Sequence, residues 1–224
     1  MGRHMHFHRE IESLKQKILE LGGMVEDRVR KACSIIANPD QEQAKNLLSS
    51  DWEIDDMEIV VEEECLKILA LHQPVARDLR LIVAIIKINS ELERIADLAV
   101  NIAKRVLTIE KKPNVSFSFD YQPMAEKALE MVKISLDALV AEDAELARKV
   151  FHMDEEVDRY RNLAYKAVIE KLDKPKNNAE NGAGLVNLYL IARHLERIGD
   201  RTNNIAEEVI YLVEGEIVRG GGDV

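Results

Sequence analysis

The residues in this sequence best equipped for chemistry are two short series of acids and amides. Glu93, Asp97 and Asn101 are spaced four apart, and so are Glu196, Asp200 and Asn204. On a helix each series rises along one face. A further acidic pair accompanies each series, Asp51 with Asp55 and Asp154 with Asp158. Four carboxylates along one groove repel one another unless protons, basic side chains or a cation neutralise them. The donors in register are Asp, Glu and Asn, with no Cys or His, so the site would be one of hard oxygens. Such a site suits Mg²⁺, Mn²⁺ or iron better than a structural Zn²⁺. The competing reading leaves the acids on solvated faces, in surface salt bridges with Arg94, Arg197 and Lys104.

Other chemistries find no residues to carry them. The sequence holds no glycine-rich phosphate loop, no Ser/His/Asp or Cys/His set and no dinucleotide fingerprint, so no catalytic nucleophile is expected. His72 and His194 are isolated and read as structural. Cys33 and Cys65 fall at core-compatible positions, and Trp52 and Tyr189 read as packing residues. The opening MGRHMHFHR looks in part like a vector remnant, which discounts His4, His6 and His8 as ligands.

The elements that must position the acids are long helices. Proline and glycine together make up 15 of 224 residues, so the chain has few places to turn. Loops are expected around Pro113 and Pro175, with shorter breaks at Asn38–Asp40, at His72–Pro74 and at Ala141–Asp143. Six helices follow, over 8–37, 40–71, 75–110, 122–141, 143–172 and 181–218.

An internal repeat organises these helices. The twelve residues from Leu92 to Ala103 return as Leu195 to Ala206, with eight identities at an offset of 103. The same offset carries Asp51 and Asp55 onto Asp154 and Asp158. Each half, 1–113 and 114–224, reads as one three-helix unit, and the chain as an all-α pair of tandem three-helix bundles. Antiparallel packing around the turn near Gln73 brings together positions whose numbers sum to about 146. Asp51 and Asp55 then come within about a turn of Glu93 and Asp97. A corresponding sum of about 354 sets Asp154 and Asp158 against Asp200 and Glu196. Glu53, Asp56, Glu63 and Glu64 point away from the groove, towards solvent.

The net charge of −10 argues against a nucleic-acid or anionic-membrane binder. No stretch is long and apolar enough to span a bilayer, and two cysteines cannot make a disulfide framework, so a cytoplasmic, reducing compartment is expected. Only 4% of the residues are aromatic, which gives no sign of an aromatic-rich obligate interface; a homodimer stays open.

Gln73-Pro-Val-Ala-Arg-Asp-Leu-Arg80, together with the blocks Leu92–Ala103 and Leu195–Glu207, resembles the PhoU family of phosphate-transport regulators. The resemblance implies two similar three-helix bundles, with metal clusters bound in some members. Its metal motif maps onto Glu93, Asp97 and Asn101 and onto Glu196, Asp200 and Asn204, opposed by Asp51, Asp55, Asp154 and Asp158. It further implies a non-enzymatic negative regulator of the phosphate-starvation response. Such a protein would link the ATPase subunit of the phosphate ABC transporter to a membrane sensor histidine kinase, as a peripheral cytoplasmic partner of both. Ala96 stands where the second block has Gly199, a difference expected to be without effect on ligands. The alternative is a ferritin-like carboxylate-bridged di-metal oxidase or metal store; no Glu-x-x-His, which such oxidases use, occurs here.

Overall fold

The computed structural model describes residues 2–110, 119–173 and 182–220. Among them the regular elements are all helices: α1 Gly2–Ala37, α2 Gln41–Ser49, α3 Trp52–His72, α4 Ala76–Glu110, α5 Gln122–Ala141, α6 Ala144–Leu172 and α7 Gly182–Glu214. The expected turns at Pro113 and Pro175 lie outside the described residues.

Local chemistry repeats along with the sequence. Asp40 caps α2 by accepting from the backbone N–H groups of Glu42 and Gln43, at 2.9 and 3.1 Å. Asp143, its counterpart 103 residues on, caps α6 by accepting from the N–H of Leu146 at 3.0 Å. Gln73 closes α3 in the left-handed conformation, its N–H bonded to the carbonyl of Leu69.

One expected helix is broken. The span 40–71 forms two segments, α2 and α3, interrupted at Ser50–Asp51, whereas its counterpart α6 runs unbroken. The cause is Arg28 on α1, whose side chain is only 5% exposed. Its guanidinium donates to Asp51 Oδ1 at 2.7 Å, to Ser50 Oγ at 3.1 Å and to the Ser50 carbonyl. That capture draws the Ser50 carbonyl into a side-chain hydrogen bond at the break. At the position 103 residues on stands Met131, which can draw nothing out of a helix.

The two halves share one hydrophobic core. α4 and α7, the third helices of the two repeats, pack most extensively, and they run antiparallel. Lys87 meets Glu208 at 2.8 Å, Arg201 meets Glu91 at 3.3 Å, and Arg105 Nη1 donates to Asn187 Oδ1 at 3.1 Å. α1 and α3 cover α4, and α5 and α6 cover α7. α1 also crosses α5 closely at Gly22, where a Cβ would lie 2.7 Å from Leu136 Cδ2.

Candidate functional site

The first acidic groove lies between α3 and α4. Asn89 Nδ2 donates to the Glu58 carbonyl at 2.9 Å, which fixes the register of the two helices close to the expected sum of 146. Asp55 and Glu58 from α3 and Glu93 and Asp97 from α4 share one electrostatic field. Burial, then the charges of Asp97, Asp55 and Glu58, push the Glu93 carboxyl above its ordinary range. Burial, then Glu62 and Asp55, do the same to Glu58. Among the described residues none of these four side chains accepts a hydrogen bond or sits in an ion pair. Arg94, the nearest candidate counter-ion in sequence, turns instead to Glu91 at 2.9 Å. Asn101 stands half-buried one turn beyond Asp97.

Asp51, expected among these acids, is held by Arg28 and already has its counter-ion. Glu58 takes its place as the fourth free carboxylate. Glu58 stands one turn from Asp55 on α3, but its counterpart 103 residues on is Arg161, so repetition did not select it.

The second groove, between α6 and α7, holds Asp154, Asp158, Glu196 and Asp200 in the expected register. It also contains its own positive charge. Arg161 reaches Asp158 at 3.3 Å and Glu196 at 3.6 Å, while Arg193 meets Glu196 Oε1 at 2.6 Å. Glu196 is buried, and its Oε2 has no partner. Burial and the negative field of Asp200, Asp158 and Glu155 push Asp154 up to about 6, against a hydrogen bond from Asn203 that favours its charged form. Burial with Asp200 raises Glu196, and burial with Asp158 raises Asp200, in each case against nearby arginines. Asn204 does not face these acids. Its Nδ2 donates to Glu91 Oε2 at 3.1 Å, across the junction with the first half.

Gly199 matters to this groove, contrary to expectation. A Cβ there would sit 2.9 Å from Asp154 Oδ1, so the absence of a side chain makes room for the carboxylate. The first half has Ala96 at the same position, and there the equivalent acid, Asp51, is bound to Arg28. Two further expectations change. Glu64 is not solvated but pairs with Lys67 at 3.0 Å and Lys17 at 3.7 Å. Trp52 does not pack in the core, being 60% exposed.

The remaining singled-out residues are structural. His72 joins Glu10 at 2.5 Å on the buried side of α3. Burial pushes the thiols of Cys33 and Cys65 up to about 12. Burial, with Arg105 and Arg197 close by, pushes His194 down to about 4.

Among the described residues no three Asp, Glu, His or Cys side chains converge closely enough to hold one ion. In donor chemistry the first groove nevertheless suits a hard cation: its acids are unpaired oxygens, and their field raises the proton affinity of Glu58 and Glu93. The second groove suits one less well, since Arg161 and Arg193 supply two of the positive charges it requires.

Comparison with known proteins agrees with this architecture. A family model described as the PhoU domain matches residues 18–106 and 122–209. The phosphate-specific transport system accessory protein PhoU of Serratia marcescens is 34% identical, over 97% of this chain and 88% of its own length. The crystal structure of PhoU from Pseudomonas aeruginosa superposes with a TM-score of 0.87 at 34% identity, covering 94% of this chain and 100% of that one. The phosphate transport system regulatory protein PhoU from Streptococcus pneumoniae gives a TM-score of 0.83 at 31% identity, over 95% of this chain and 99% of that one. A repeated three-helix bundle, the doubled acidic block and relatives matched over nearly their whole length lead to one conclusion: the chain belongs to the PhoU family.

Proposed function

We propose that the protein is a non-catalytic accessory component of a phosphate-specific transport system. In this reading it restrains the phosphate-starvation response by docking onto the ATPase subunit of the transporter and onto a sensor histidine kinase. What supports it most is the family match across both repeats, with relatives named as transport accessory and regulatory proteins. No helix among the described residues is long and apolar enough to cross a membrane, so membrane association would come through those partners. The test is a deletion strain grown in ample phosphate. Phosphate-starvation genes should be derepressed and silenced again by the wild-type chain, and pull-downs should recover the ATPase subunit. Unchanged expression, with neither partner recovered, would refute the adaptor role.

The same reading gives the first groove a cation. A bound Mg²⁺, Mn²⁺ or iron ion would supply positive charge between α3 and α4. Asp55, Glu58, Glu93 and Asp97 are the residues that would hold it, with Asn101 beside them. Without a cation their mutual repulsion works against the helix pair, and Arg28 limits that load by engaging Asp51. The ferritin-like alternative gains no support, because the paired histidines such oxidases use are missing from both grooves.

A further inference from the structure

α3 is apolar on two opposite faces. Ile54, Val61, Cys65 and Ile68 point into the core. On the opposite side Trp52, Ile59 and Leu66 are 60%, 50% and 54% exposed. They recur every seven residues and, over fourteen residues at 1.5 Å per residue, form a seam about 21 Å long. Asp56 and Glu63 lie along the same seam, and Glu53 and Glu62 border it, all four exposed.

The fold does not require this surface. On α6, 103 residues on, the seam positions are Glu155, Asn162 and Ile169, and Asp56 and Glu63 become Arg159 and Lys166. Of these five positions the second repeat keeps only Ile169 apolar, and it is basic at the two where the first is acidic. Three large apolar side chains exposed in heptad register at one repeat only mark an interaction site rather than scattered surface hydrophobes.

The geometry points to the outer face of α3 as a docking seam for an amphipathic helix of a partner protein, apolar at its a and d positions and rich in Lys and Arg on its flanks. Heptad spacing fits a packed helix, and the acidic border selects the charge of its flanks. A second copy seated by the same face would set the acids against themselves across a two-fold axis. An anionic membrane would be repelled by them. The inference rests on the adaptor reading for the existence of a partner, and names the surface and the chemistry of the helix that meets it.

Trp52 is the only tryptophan of the chain, so the seam carries its own reporter. The full-length protein is titrated with a tryptophan-free synthetic 21-residue helix bearing Leu at a and d and Lys or Arg at e and g. Controls are the same helix with Glu at e and g and a scrambled sequence. The expected result is a saturable blue shift of Trp52 emission with the basic helix only. Ile59→Lys/Leu66→Lys should weaken it at least about tenfold, because two apolar burials are lost. Asp56→Lys/Glu63→Lys should turn the preference towards the acidic helix. Thermal unfolding of each variant checks that these exposed changes leave the fold intact. Equal response to all three peptides, or binding indifferent to both variants, overturns the seam. So does a wild-type dimer in sedimentation that Ile59→Lys/Leu66→Lys dissociates, since that would make a second copy the occupant. Failure here with intact repression in the deletion strain would remove the seam and leave the adaptor role standing.

Discussion

Asp154→Asn should stabilise the protein at neutral pH, although it removes an acid from the doubled pattern. The carboxyl of Asp154 rises from an ordinary value of 3.8 to about 6 through burial and its acidic neighbours. Two pKa units correspond to about 3 kcal/mol, and partial solvent access reduces that to about 1–2 kcal/mol. The raised value means that the folded state holds the proton more tightly than the unfolded chain. The penalty is therefore absent below about pH 4, grows as pH rises towards 6, and is constant above it. Asparagine keeps the shape of the side chain in the space that Gly199 leaves, and its amide oxygen can still accept from Asn203. The assay is thermal unfolding of EDTA-treated wild type and variant from pH 4 to pH 8. The variant should melt about 2–8 °C higher at pH 7, with the difference vanishing near pH 4. A variant that is no more stable at pH 7, or a difference independent of pH, would refute the claim that burial and repulsion hold this carboxyl strained.

Other consequences follow from neighbouring contacts. Arg28→Met, which copies the second repeat, should cost about 2–4 kcal/mol by leaving Asp51 and the Ser50 hydroxyl without their guanidinium donor. Urea unfolding measures it, and a double-mutant cycle with Asp51→Asn should show coupling above about 1 kcal/mol. Cys33 and Cys65, pushed up to about 12 by burial, should resist a thiol reagent at pH 8 until the protein is unfolded. Rapid labelling of either thiol in the folded protein would contradict these raised values.

The repeat made the fold readable. Periodicity and an offset of 103 located the helices, and the antiparallel register holds at Asn89 and Glu58. What escaped was decided by residues that break the repeat. Arg28 stands opposite Met131, and it splits one helix and removes Asp51 from the groove. Glu58 stands opposite Arg161, which gives one groove an extra acid and the other a counter-ion. Gly199 against Ala96 looked trivial as composition and is consequential as space, since only a three-dimensional neighbour, Asp154 Oδ1, gives the missing Cβ its meaning. Asn204 matches Asn101 in sequence, but α4 offers it Glu91, a partner from the other half. Trp52 read as packing because large aromatics usually are, and no periodicity in one helix states which of two apolar faces meets the core.

In the proposed function the four unpaired acids of the first groove bind a hard cation. Mn²⁺ binding to EDTA-treated protein, followed by electron paramagnetic resonance, tests it most directly. Wild type should bind Mn²⁺ saturably, and Glu93→Gln/Asp97→Asn should abolish that site while the helical content is retained. No saturable binding by the wild type, or binding that the double variant leaves unchanged, would contradict it.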